Sequence, residues 1–142
     1  MPDGFYQAPL TVTDQVQILS WSTAAFEEPT ELMGTGAAHL FVEIDQPDTN
    51  LILRLWDHAP TGKRQLVTTG YLKASHRELD EARSTEGSPV HPHTRAVPVQ
   101  PGVIEEYVVR LYPMTTTFLP GHRRNRDGPL APCPQRQRLR LK

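Results

Sequence analysis

Six histidines and five serines are the side chains through which this sequence could do chemistry. His91-Pro92-His93 offers a pair of metal ligands, since residues two apart in an extended chain share a face. The pair lies in a proline-rich stretch with no third ligand in reach, so loop histidines are the expectation. His58 follows Asp57 and could mimic a base with its orienter, but neighbours in an extended chain point apart. His122, in Pro120-Gly121-His122, reads as a turn residue whose ring bonds backbone. Ser20, Ser22, Ser75, Ser84 and Ser88 are the serines, and none sits between glycines at a strand-to-helix elbow. No P-loop, zinc-protease or dinucleotide glycine pattern occurs. Cys133 stands alone, which excludes an internal disulfide framework and a cysteine-based zinc site. No catalytic, cofactor-binding or metal-binding residue is therefore assigned. Trp56 or Phe41 could stack on sugars as in a carbohydrate-binding module; on a two-layer sandwich such rings more often fill a core or an interface.

The elements that would carry these residues read as strands separated by turns. Val16–Trp21 is a first strand. Residues 27–30 are a loop, and Gly34-Thr35-Gly36 is a turn. In 38–44 the residues Ala38, Leu40, Val42 and Ile44 share one face, and in 51–57 Leu51, Leu53 and Leu55 do the same. Gln46–Asn50 and Pro60–Gly62 are turns. Residues 65–72 form a strand interrupted by Gly70, a mark of a bulge or of close backbone approach. In 104–112, Tyr107, Val109 and Leu111 face inward. Leu53, Leu55, Val109 and Leu111 should be buried, with Arg54 and Arg110 directed away. Ser75-His76-Arg77-Glu78 has the spacing of a capping box, which predicts a short surface helix reaching Arg83. Four prolines punctuate 84–102 as an irregular connection. Such strand spacing argues an all-β, antiparallel sandwich.

The 142 residues make one domain with a modest core, at 37% apolar residues and 14 prolines. No apolar run is long enough for a helical membrane span. Met1-Pro2-Asp3-Gly4 lacks the features of a signal peptide, so a cytoplasmic location is expected. The net charge of −1 hides an asymmetry: residues 1–122 carry −7 and residues 123–142 carry +6. A basic tail could neutralise phosphates, lie solvated, or be a product of out-of-frame translation; nucleic-acid binding is the least favoured of the three. Arg124-Asn125-Arg126 supplies no apolar alternation, so the expectation is a sandwich incomplete at its C-terminus, with residues 124–142 disordered and the body marginal or self-associating.

Three segments together resemble a known family. They are Pro47-Asp48-Thr49-Asn50-Leu51-Ile52-Leu53-Arg54-Leu55-Trp56-Asp57 with Pro60-Thr61-Gly62; Thr69-Gly70-Tyr71-Leu72-Lys73-Ala74-Ser75-His76-Arg77; and Leu111-Tyr112-Pro113 with Phe118-Leu119-Pro120-Gly121-His122-Arg123. Glu28-Pro29-Thr30-Glu31-Leu32-Met33-Gly34 looks like the segment that opens the same domain. The order and spacing resemble the C-terminal domain of the X-Pro dipeptidyl-peptidase and cocaine-esterase-type serine hydrolases. The resemblance implies a jelly-roll-like (galactose-binding-like) antiparallel β-sandwich over residues 20–123, after an extended segment 1–19 and before the tail 124–142. It implies an α/β-hydrolase domain as partner, absent from this chain, with the serine triad in that domain and no cofactor. No residue here matches the family's catalytic motifs, so the chain is expected to be a truncated, non-catalytic accessory domain.

Overall fold

The computed structural model describes residues 17–130, side chains being described from Ile18 to Arg124. Six strands follow in order: β1 (Gln17–Ser22), β2 (Thr30–Glu43), β3 (Asn50–His58), β4 (Arg64–Lys73), β5 (Ile104–Phe118) and β6 (Arg123–Leu130). They form one antiparallel sheet in the spatial order β1-β6-β3-β4-β5-β2. Inward side chains of β2, β3, β4 and β5 meet in a single core: Ala38, Leu40 and Val42; Leu51 and Leu53; Leu72; Tyr107, Val109 and Leu111. One sheet can bury its strands against each other only by curling, and the result is an all-β fold consistent with an incomplete β-sandwich. The period-two pattern selects the core face as expected. Leu53, Leu55, Val109 and Leu111 are buried, and Arg110 is exposed.

The fold line lies between β4 and β5, which pair in register only at Gly70 and Leu111. Gly70 serves close approach rather than a bulge. A Cβ there would sit well inside van der Waals distance of the Arg110 carbonyl oxygen and 3.1 Å from Leu111 Cδ2. Thr68 reinforces the seam, its hydroxyl donating to the Tyr112 carbonyl at 2.9 Å.

Three sequence expectations are corrected. Gly34-Thr35-Gly36 is not a turn: β2 runs through it with a shift of register between Gly34 and Gly36, opposite Pro113. Proline has no N–H for the ladder, so the strands slip around it, and Gly34 takes the strain at φ +114°. The helix expected over 75–83 is reduced to a 3₁₀ turn, Ala74–His76. The Ser75 hydroxyl bonds Asp48 instead of capping, which removes the box. Finally, residues 124–130 do not belong to a disordered tail. They continue β6, which pairs with β1 on one side and β3 on the other. A strand flanked on both edges has its backbone groups satisfied whatever its side chains, so apolar alternation is no requirement there. Residues 54–58 of β3 are covered by this pairing. The rest of the expected tail, 131–142, lies outside the described residues, as do residues 1–16 of the expected leading segment.

Replacing Gly70 by alanine should force the two layers apart and cost roughly 1–3 kcal/mol, as overpacking does. Urea unfolding of Gly70→Ala checks this, with the opposite expectation of near-neutrality for alanine at Gly36, where a Cβ meets only ordinary contacts at 3.7 Å.

Candidate functional site

The long connection 77–103 is held to the sheet by side chains. The Arg77 guanidinium donates to the carbonyls of Ala74, Val97 and Pro98 and to the Glu105 carboxylate at 2.9 Å. It lies 5.9 Å from the Tyr107 ring centre. The Tyr107 hydroxyl donates to the other Glu105 oxygen at 3.2 Å. Burial, and then the Glu105 charge, push this phenol up to about 12. Asp48 anchors the start of the connection. It accepts from the Ser75 amide and hydroxyl, from the Thr49 amide and from Lys73. Burial opposes the charge, but these hydrogen bonds, Ser75's foremost, hold the Asp48 carboxyl below its ordinary value.

The two histidines of this connection are held in different ways. His91 is spanned between two carbonyls, Nδ1 lying 3.0 Å from the Glu78 oxygen and Nε2 2.9 Å from that of Val108. In either neutral tautomer the protonated nitrogen donates to the carbonyl it faces. His93, exposed and in the left-handed region at φ +53°, packs 5.9 Å from His91 and 5.3 Å from His76, ring centre to ring centre. Among the described residues no three histidine, cysteine or acidic side chains are grouped to hold an ion.

His122 is where the structure adds most. The sequence predicted a ring bonded to backbone; instead Nδ1 lies 2.8 and 2.9 Å from the two oxygens of Asp57. The side chains are only 18% and 14% exposed. Asp57 continues the inward series Leu51, Leu53, Leu55, so it stands at the end of the core face while His58 takes the outer face. The turn itself is closed by the His122 amide on the Leu119 carbonyl, with Gly121 at φ +80°. Asp57 and His122 thus fasten the β5–β6 turn to β3. A carboxylate-held imidazole is half of a hydrolase triad, but Ser75 and Ser84 do not complete it: their hydroxyls are spent on Asp48 and on the Val90 amide.

The remaining candidates line the outer surfaces. Trp56 is half-buried beneath Arg64, whose guanidinium lies 5.4 Å from the ring centre, and its Nε1 is buried without a partner. Phe41 of β2, half-buried, stands opposite Glu106 of β5. The more exposed rings, Tyr71 and Tyr112, were not singled out by sequence pattern; their centres are 6.1 Å apart and they are 56% and 59% exposed. Beside Tyr71 is an open cleft of about 470 Å³ lined by Asn50, Ile52, Lys73 and His93.

Two outcomes follow. Asp57→Asn and His122→Ala should each destabilise the fold by about 1–3 kcal/mol; a double-mutant cycle by chemical denaturation should return a coupling of about 0.5–3 kcal/mol. Asp48 acts in the acid range. Its folded-state carboxyl lies below the ordinary 3.8, so its contribution is complete above that value and is lost as pH falls through the lowered one. Melting temperature followed down to about pH 2 should fall less steeply in Asp48→Asn than in the parent.

Comparison with known proteins places this architecture. Residues 5–123 match the model of the X-Pro dipeptidyl-peptidase C-terminal non-catalytic domain. The cocaine esterase of Rhodococcus sp. (strain MB1 Bresler) is 29% identical over 112 residues, which are 79% of this chain and 17% of that protein. The crystal structure of a CocE/NonD family hydrolase from Staphylococcus aureus superposes with a TM-score of 0.74 at 26% identity, over 78% of this chain and 22% of the other. An aminopeptidase from a marine sediment Thaumarchaeota archaeon shares the fold, with a TM-score of 0.62 at 24% identity, over 78% of this chain and 18% of its own. The chain thus spans less than a fifth of the cocaine esterase it matches. A curled antiparallel sheet, a family match over residues 5–123 and relatives matched over only a small share of their length lead to one assignment: this chain belongs to the X-Pro dipeptidyl-peptidase C-terminal non-catalytic domain family.

Proposed function

We propose that the domain serves as the accessory β-domain of a serine hydrolase of α/β-hydrolase fold, packing against that hydrolase domain and helping to wall its active-site entrance. The observation that carries this is the family match over residues 5–123 together with the small share of each relative that the domain occupies. On this reading the nucleophile, its base and the oxyanion donors belong to the hydrolase domain, which would cleave an ester, amide or X-Pro bond through an acyl-enzyme. The present chain supplies shape and stability. Asp57–His122 then has a structural task, fastening a turn, rather than a proton to move.

A second reading, a carbohydrate-binding module, is favoured by one feature, the cleft beside Tyr71 with Asn50 and Lys73 on its wall. A glycan array separates the two, because a packing domain binds no sugar.

The test of the first reading has two arms. The purified chain should hydrolyse neither p-nitrophenyl esters nor X-Pro-p-nitroanilides above background; turnover abolished by a single Ser→Ala change would overturn the reading. Co-expressed with the Rhodococcus cocaine esterase from which the matched C-terminal segment has been deleted, the chain should co-purify with it as a soluble complex.

A further inference from the structure

The outer face of β3, β4 and β6 differs in charge from the rest of the domain. Register sets Arg123, His58 and Arg64 in a row across three strands, so that neighbouring positions lie about 4.8 Å apart. The row ends in two arginines, both exposed, one on each side of His58. The next rows along the same face hold Trp56 with the exposed Leu66, then Arg54 with Thr69, then Ile52 with Tyr71, then Asn50 with Lys73. Across the seam, the pairing of Gly70 with Leu111 brings Arg110 and Tyr112 alongside Tyr71.

Among the described side chains this face carries no carboxylate, although residues 1–122 as a whole carry −7. Lys73 is balanced by Asp48 from the adjoining turn, at 3.3 Å, and the ladder places Asp127 opposite Arg54. Arg64, Arg110 and Arg123 have no ion-pair partner among the described residues. Their charges cluster around Trp56, Tyr71 and Tyr112.

We infer that this face is the surface that docks on the hydrolase domain, and that the docking partner presents an apolar centre rimmed by carboxylates. The inference rests on the accessory-domain reading above. Tyrosine, tryptophan and arginine are the side chains that dominate protein–protein hot spots. One-signed charge selects a surface of the opposite sign and fixes its orientation. A single-stranded nucleic acid would need open stacking surfaces; the Trp56 ring is covered by Arg64, and Tyr71 and Tyr112 are tilted at 56° to each other. The Tyr–Arg cluster therefore suits a protein surface better than a row of bases.

The experiment uses the full chain, tagged and co-expressed with the esterase remainder described above. Arg64→Glu/Arg110→Glu and Tyr71→Ala/Tyr112→Ala should each lower recovery of the remainder by roughly tenfold or more, with recovery from the parent falling as salt is raised. Met33→Glu, at an exposed position of β2, should recover it unchanged. Circular dichroism and melting of each variant confirm that the fold is kept. Parent and face variants recovering the remainder equally would overturn the assignment of this face while leaving the accessory-domain reading intact. No recovery even by the parent would overturn both. Salt-sensitive binding of a labelled oligothymidine, lost in the same variants, would overturn the protein partner in favour of nucleic acid.

Discussion

The architecture depends on one near-collision of backbones. At Gly70 the β4 strand passes so close to the carbonyl of Arg110 that no side chain fits between them. A sheet of this width left flat would expose every apolar residue of its inner face. The crease brings β2 and β5 over β3 and β4 and closes Tyr107, Val109 and Leu111 onto Leu51, Leu53 and Leu72. The same crease explains why so few pairs bridge β4 and β5: the ladder ends where the turn in the sheet is sharpest.

Around that crease, charge is handled differently on the two sides of the domain. The connection 77–103 brings an arginine inside, and there every donor of Arg77 that is used has a defined acceptor, three carbonyls and a carboxylate. A guanidinium suits this because its planar fork reaches several oxygens at once. On the outer face Arg64, Arg110 and Arg123 have no ion-pair partner among the described residues. Within one small domain, paired arginine organises a loop and unpaired arginine is left to meet something else.

Much of this was legible from sequence, for a physical reason. Where one face is buried, a period of two must show, and β2, β3 and β5 display it in Ala38–Ile44, Leu51–Leu55 and Tyr107–Leu111. Gly70 pointed to a bulge or to close backbone approach, and the structure selects the second. The family resemblance, carried by segments on both sides of the crease, agrees with the match over residues 5–123. What could not be read was whatever depends on partners far along the chain. Asp57 and His122 are separated by 65 positions; the available hint was that Asp57 falls in step with Leu51, Leu53 and Leu55, a carboxylate where an apolar residue was due. β6 was missed because a strand between two others is held through its backbone, which composition does not reveal. The short helix was wrongly expected because Ser75 has a better acceptor in Asp48 than in its own backbone.

The position of β6 has a consequence for how the chain is made. Among the described strands β1 comes first in sequence, yet the strand beside it in the sheet is β6, the last of them. During synthesis β2 through β5 can close their ladders as they emerge, whereas β1 must wait, unpaired, for the whole intervening chain. Pairing of such distant segments is slow, because the loop to be closed is long. Until β6 has been made, β1 is thus an unpaired edge, open for that interval to the wrong neighbour.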